Sequence, residues 1–190
     1  KGAIYSAKGL DVESVWQQKQ AINKLQAVYC EGSVCEIIEH QSISHEELLA
    51  LDVDILIPAA LEDTITLKNV EDIKARWIIE VANGPISNDA DDILYKKGVI
   101  VIPDVLANAG GVTVSYFEWV QNKAGYPWTL DEVRHRLKDK MQSAFDDIWD
   151  YHKTAEGISL RSAAYAKALH NIKNVIDVRG TKAYFNHEES

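Results

Sequence analysis

The sequence contains few cysteines, glycines and prolines. Its 190 residues include only two cysteines, Cys30 and Cys35, which are too few for a disulfide scaffold and have no histidines at zinc-ligand spacing. We therefore expect a cytoplasmic protein with two reduced thiols and no bound metal. The 10 glycines and 4 prolines are scattered along the chain, which argues against collagen-like repeats and disordered tracts.

Basic residues and long apolar runs are also scarce. Lys and Arg total 20 against 29 Asp and Glu, which gives a formal net charge of −9. Nucleic acids and anionic membranes attract surplus Lys and Arg, so neither is an expected partner. The longest purely apolar stretches, such as residues 99–103, are too short to span a bilayer. The remaining composition, 46% hydrophobic and 26% charged, is that of a globular chain with one core.

The chain alternates helical and strand periodicity, which is typical of an α/β sheet. Three β-rich apolar segments, residues 53–57, 77–81 and 99–102, each end in a loop. Helical segments at about 66–75 and 87–97 separate them. Near-continuous apolar strands are typical of parallel sheets covered by helices on both faces. We predict a Rossmann-like, mostly parallel sheet followed by C-terminal helices.

Capping signals predict helices on both sides of these strands. Asp11 caps a helix whose apolar positions continue to Tyr29, and Ser44 opens a capping box before a short helix. After the last strand, residues 106–122 look helical at their far end and carry a flexible Gly110-Gly111 near their start. Thr129 opens a second capping box before a long helix. A last helix begins near residue 160, and four residues form its apolar stripe: Tyr165, Leu169, Ile172 and Ile176.

The candidate site lies beyond the carboxyl ends of the three strands, where open parallel sheets bind ligands. The loops over 58–62, 82–85 and 104–111 face one crevice if the strands are neighbours. Small residues let the backbone approach a flat ligand, and Asn83 and Asn108 offer uncharged amide groups to a carboxamide or a ribose hydroxyl. Each feature alone is compatible with a structural role, such as a turn at Asn83, and their order along the chain is what indicates a site.

The three loops resemble those of the glutamate dehydrogenase family. The resemblance is carried, in order, by residues 54–62 (DILIPAALE), 80–85 (EVANGP) and 103–119 (PDVLANAGGVTVSYFEW), and it covers nearly the whole chain. Val81, where many members have Gly, and residues 85–88 depart from the family pattern. Neither departure removes a functional side chain.

The resemblance implies the C-terminal, nucleotide-binding part of an enzyme that oxidatively deaminates L-glutamate to 2-oxoglutarate and ammonia. In such an enzyme a hydride passes to NAD or NADP. By position in the family motifs, Ala59 and Ala60 line the adenosine side of the cofactor cleft. Asn83 and Asn108 hold the nicotinamide end.

The resemblance also places two residues against the substrate. Val112 and Ser115 reach it, and Ser115 donates a hydrogen bond to its side-chain carboxylate. A buried carboxylate is costly unless its oxygens are paired, which gives the hydroxyl a physical reason to be there. No catalytic residue is assigned within this chain, because the family's catalytic lysines and aspartate belong to a separate substrate domain.

The chain opens at Lys1-Gly2 directly into an apolar stretch, and no G-x-G-x-x-G occurs in it. We interpret it as a piece of such an enzyme, without the first βαβ unit or the substrate domain, and expect it to be inactive alone. Residues 1–156 form the partial dinucleotide-binding domain, and 157–190 form a helix and tail that return toward the substrate domain. The resemblance implies a homohexameric parent, while the oligomeric state of the piece is open.

Two other functions stay open at this point. One is a related branched-chain or aromatic amino acid dehydrogenase, although such enzymes bind apolar side chains and have no use for Ser115 facing a carboxylate. The other is a non-catalytic nucleotide-binding or assembly module, because fold alone does not fix function. The choice between NAD and NADP is also open.

Overall fold

The computed structural model describes residues 2–25, 28–31, 34–37, 41–155 and 157–179, and for 28–31, 34–37 and 179 it describes the backbone alone. The thiols of Cys30 and Cys35 and the tail beyond residue 179 lie outside this description. The chain divides into two compact units. The first comprises residues 1–53 with 71–74, and the second comprises 54–70 and the residues from 75 onward.

The first unit contains short antiparallel strand pairs and two helices. Its elements are β1 (Ala3–Tyr5), α1 (Val12–Ile22), β2 (Val28–Glu31), β3 (Val34–Ile37), β4 (Gln41–Ile43) and α2 (His45–Leu49). Strand β1 pairs with β4, and β2 pairs with β3.

The predicted helix starts of the first unit are confirmed. The Asp11 side chain accepts a backbone hydrogen bond from the first turn of α1, and Ser44 caps α2 through a complete capping box. The predicted extension of α1 to Tyr29 is wrong. The helix ends at Ile22 because Asn23 adopts the left-handed conformation, with φ 54°, which stops helical propagation.

The second unit is built on a parallel three-stranded sheet. Its elements are β5 (Ile55–Leu56), β6 (Trp77–Ile79), α3 (Asn88–Lys96), β7 (Ile100–Ile102), α4 (Asp104–Ala107), α5 (Gly110–Ala124), α6 (Leu130–Thr154) and α7 (Leu160–Arg179). The strand order is β5-β6-β7, with Trp77 opposite Ile55 on one side and Ile100 on the other. The predicted α/β fold, with a parallel sheet followed by C-terminal helices, is confirmed.

The helix predicted over 66–75 is wrong. That segment contains only a short 3-10 turn at Val70–Asp72. The Asn69 side chain accepts the Thr66 backbone N–H at 2.8 Å and donates to the Thr64 carbonyl at 3.0 Å. Asn side chains that bond to nearby backbone groups in this way favour turns over helices.

The helix predicted toward the far end of 106–122 is α5, and a separate short helix, α4, precedes Gly110-Gly111. Helix α4 ends at Ala107. The next residue, Asn108, leaves the helical region after its N–H donates to the Asp104 carbonyl at 3.0 Å. Helix α5 restarts at Gly110. The capping box predicted at Thr129 is present at the start of α6.

Helix α7 is buried at its amino end and exposed along most of its length. Leu160 and Ala163 pack in a cluster with Leu106 of α4 and Ile148 of α6. The predicted apolar stripe of α7 is uncovered, with these exposed fractions: Tyr165 53%, Leu169 66%, Ile172 58% and Ile176 42%. The division of the chain at residues 156 and 157 stays a prediction. Among the described residues, no helix is both long and apolar enough to cross a membrane.

Candidate functional site

The three loops predicted to face one crevice are neighbours at the carboxyl edge of the parallel sheet. The Pro58 carbonyl, just after β5, accepts backbone hydrogen bonds from Val81 at 3.1 Å and Ala82 at 3.0 Å, just after β6. The Glu80 N–H in turn donates to the Ile102 carbonyl at the end of β7 at 3.1 Å. The backbone therefore joins all three strand ends.

Asn83 and Asn108 meet across two of these loops. The Asn108 Nδ2 donates to Asn83 Oδ1 at 2.7 Å and approaches the Val81 carbonyl at 3.4 Å. Asn83 is exposed and Asn108 is half-buried. An amide pair with one exposed member presents both donors and acceptors to a polar, uncharged group such as a carboxamide.

Ala59 and Ala60 are exposed in the loop after β5. The preceding Pro58 is buried and tied to the Val81–Ala82 backbone, so the two small side chains stand beside the loop that carries Asn83. Gly84 follows with φ 53°, a left-handed conformation that L side chains rarely adopt. The turn after Asn83 therefore depends on glycine.

Val112 and Ser115 lie on α5, which begins two residues after Asn108. Both side chains are exposed, and residues three apart on a helix share a face. The start of α5 places Val112 and Ser115 near the loop that carries Asn108. Their role toward a substrate stays a prediction.

An ion cluster that the sequence motifs did not predict lies behind the loops. The Arg161 guanidinium of α7 contacts three carboxylates: Glu80 at 2.7 Å, Asp91 at 3.2 Å and Asp104 at 3.4 Å. The Glu80 side chain is fully buried, and the other members are 11–17% exposed. Burial raises the pKa of Glu80, and the hydrogen bond from Arg161 offsets this only in part.

Arg161 keeps its positive charge within this cluster. Burial by itself lowers the pKa of a guanidinium, but hydrogen bonds to Glu80 and Asp91 outweigh it and raise the pKa of Arg161. One sequence signal pointed to the cluster, because Glu80 ends an apolar strand, where a lone carboxylate needs a partner. The partner itself lies 81 residues away and could not be read from the sequence.

A cavity of about 520 Å³ lies apart from the predicted site. Its lining includes Tyr95 of α3, Gly98 and Val99 before β7, and His152 near the end of α6. It contains none of the six predicted cofactor- and substrate-binding residues. Its strand contribution is Ile100 and Val101 of β7, and Asp91 and Arg161 of the ion cluster also line it.

Comparison with known proteins gives a consistent set of relatives. A sequence model of the family described as Glutamate/Leucine/Phenylalanine/Valine dehydrogenase matches residues 1–180. The NADP-specific glutamate dehydrogenase of Synechocystis sp. is 48% identical over 97% of this chain and 43% of its own length. The NAD-specific glutamate dehydrogenase of Staphylococcus aureus (strain COL) is 41% identical over 94% of this chain and 41% of its own length.

The fold agrees with solved structures. The hetero-hexameric glutamate dehydrogenase from Thermus thermophilus, in a leucine-bound form, superposes with a TM-score of 0.76 at 28% identity. The match covers 92% of this chain and 39% of that one. The chain thus spans about two fifths of the length of the curated relatives it matches.

Proposed function

Since this chain belongs to the Glutamate/Leucine/Phenylalanine/Valine dehydrogenase family, we propose that it is the nucleotide-binding part of a glutamate dehydrogenase. In that reaction L-glutamate, water and the oxidised cofactor yield 2-oxoglutarate, ammonium, the reduced cofactor and a proton. The observation that carries the proposal is the contact of Asn83 with Asn108 at the edge where three strand ends meet. The two relatives named glutamate dehydrogenase, at 48% and 41% identity, support the choice of substrate.

NAD or NADP is the cofactor of this proposal, and when bound it accepts the hydride. The residues of the chain fit its two ends. Ala59 and Ala60 are small and exposed, as a flat adenosine requires, and the Asn83–Asn108 pair suits the carboxamide of a nicotinamide. The chain contains no G-x-G-x-x-G, the motif that binds a pyrophosphate, and our proposal assigns that contact to another part of the enzyme.

Ser115 is proposed to bind the distal carboxylate of glutamate, with Val112 against the carbon chain. A hydroxyl in the second turn of α5 adds a donor close to the helix amino end, where the helix dipole favours an anion. Ser115 and Val112 thereby orient the substrate, and Asn83 and Asn108 orient the nicotinamide. Proton transfer is left to the substrate domain, so this chain alone is proposed to be inactive.

The rival dehydrogenases of the family act on apolar amino acids. An exposed serine hydroxyl three residues from Val112 gives an apolar side chain no favourable partner, so the glutamate enzyme is the better fit. The family resemblance further suggests a cytoplasmic, homohexameric parent, which we include in the proposal.

The proposal is tested by initial rates of the full-length protein with glutamate, leucine and phenylalanine, each with NAD and with NADP. We expect kcat/KM for glutamate to exceed that for the apolar amino acids by at least about a hundredfold, because the site pairs a charged group. A preference for leucine or phenylalanine would support the rival dehydrogenase. Dinucleotide binding without turnover of any amino acid would support a non-catalytic module.

A further inference from the structure

Arg161 contacts three carboxylates next to the loops of the candidate site. It is the second residue of α7, and its Nε and Nη2 atoms contact the two oxygens of Asp91, each at 3.2 Å. Its Nη2 also donates to Glu80 Oε1 at 2.7 Å, and its Nη1 to Asp104 Oδ1 at 3.4 Å. One planar guanidinium therefore connects α7 to α3, to the end of β6 and to the start of α4.

Two of these carboxylates also accept hydrogen bonds from backbone N–H groups of the loops. The second oxygen of Glu80 accepts the Asp104 N–H at 2.7 Å. The second oxygen of Asp104 accepts the Gly84 N–H at 2.9 Å. Gly84 adjoins Asn83, and the N–H of Asn108 donates to the Asp104 carbonyl at 3.0 Å. Both members of the asparagine pair are thus anchored to a cluster that depends on Arg161.

The cluster needs its cation. Three carboxylates share one guanidinium, and the Glu80 side chain is fully removed from solvent. Removing one partner of a buried ion pair leaves an uncompensated charge, which the fold relieves by protonation or by moving the groups apart. Because Asp104 and Glu80 also bind loop amides, we expect their separation to displace the loops that carry Asn83 and Asn108.

We propose that Arg161 is a positioning residue for the nicotinamide side of the site, acting through Glu80 and Asp104 on Asn83 and Asn108. The inference rests on the proposed function. Arg161 itself touches neither asparagine, so its effect is confined to the placement of their loops. Ala59 and Ala60, on the proposed adenosine side, are not among the groups that Glu80, Asp104 and Arg161 bind in these hydrogen bonds and ion pairs.

The test compares two ligands of the full-length protein carrying Arg161→Gln. Calorimetry would measure the Kd of the reduced dinucleotide and the Kd of ADP-ribose, which lacks the nicotinamide. For an NADP enzyme, the 2′-phosphate of ADP-ribose replaces ADP-ribose. We expect the Kd of the reduced dinucleotide to rise about five- to tenfold and that of ADP-ribose to change less than twofold. A general loss of folding weakens both ligands equally, so equal weakening, or no weakening of either, would overturn the proposal.

Two further variants keep the test decisive. Asp91→Asn removes a contact of the same arginine that reaches no loop, and we expect it to lower the melting temperature while leaving both Kd values within twofold. Arg161→Lys keeps the charge but not the fork of donors, and we expect an intermediate, nicotinamide-selective loss. It carries the test if Arg161→Gln does not fold, and equal effects of Arg161→Lys on both ligands would refute the proposal.

Failure of the proposed function gives a different result. If the unsubstituted full-length protein binds neither the reduced dinucleotide nor ADP-ribose, the dehydrogenase assignment is wrong, and the positioning role of Arg161 is wrong with it. If the unsubstituted protein binds both and turns over glutamate, but Arg161→Gln shows no nicotinamide-selective loss, only the positioning role is wrong.

Discussion

Ser115 is the side chain that we propose distinguishes a glutamate site from one for apolar amino acids. It is exposed on α5, on the same face as Val112. Its value as a discriminator is chemical, because a hydroxyl donor matters to a substrate carboxylate and is irrelevant to an aliphatic side chain.

Ser115→Ala in the full-length protein is predicted to lower kcat/KM for glutamate about ten- to a hundredfold, since a hydrogen bond to a charged group contributes roughly 1.5–3 kcal/mol. Norvaline has no distal carboxylate and should be affected much less. Parallel initial-rate measurements with the two amino acids check this, and equal losses would return Ser115 to a structural role.

Asn108→Ala is the matched comparison. Its proposed partner is the cofactor, so kcat/KM should fall for glutamate and norvaline together. A loss confined to glutamate would place Asn108 against the substrate carboxylate and would contradict the assignment of the asparagine pair to the nicotinamide.

At the scale of elements, Glu80 links β6 to α4 and α7, and its titration gives a pH test. Burial raises the pKa of Glu80 in the folded state despite the bond from Arg161, while Asp104 adds repulsion and Asp91 faces the same guanidinium. Because its pKa is raised in the folded state, protonated Glu80 stabilises the fold. This stabilisation is complete below the ordinary glutamate pKa and is lost as pH rises through the raised value.

Glu80→Gln is therefore predicted to gain stability relative to the unsubstituted protein as pH rises from about 4.5, which unfolding by denaturant at a series of pH values would measure. Glu132→Gln provides a control of opposite sign. Hydrogen bonds from Thr129 lower the pKa of Glu132, so the stabilisation that Glu132 provides is present at higher pH and is lost as pH falls through the lowered value. A Glu80→Gln difference that does not vary with pH would contradict the raised pKa.

The elements also show what sequence can predict. Each capping box, at Ser44 and at Thr129, spans only four consecutive residues, and the starts of the two helices were predicted correctly. The segment around Asn69 was wrong because side-chain bonds to its own backbone compete with a helix over the same residues. That the three loops meet at one edge of the sheet was predictable from the order of the strands, whereas Arg161 lies 81 residues from Glu80 and only the fold brings the two together.

At the scale of the whole molecule, the chain covers about two fifths of the length of its curated relatives. It carries the asparagine pair and the proposed substrate serine, and no G-x-G-x-x-G. The α7 stripe, with Leu169 66% exposed, is the surface expected to return to the substrate domain.

The 190-residue chain alone is predicted to bind NADH and NADPH more weakly than about 100 μM, because it has no glycine fingerprint to supply pyrophosphate amides. Fluorescence titration of the isolated chain measures this directly, with the full-length protein as the positive control. Micromolar binding by the isolated chain would show that its own loops suffice for the dinucleotide.

A crystal structure of the full-length protein with the oxidised cofactor and glutamate tests the account most directly. The account predicts that the nicotinamide carboxamide lies against Asn83 and Asn108, and that Ser115 Oγ lies about 2.5–3.0 Å from an oxygen of the distal carboxylate of glutamate. A cofactor seated instead in the cavity lined by Tyr95 and His152, or a glutamate whose distal carboxylate makes no contact with Ser115, would contradict it.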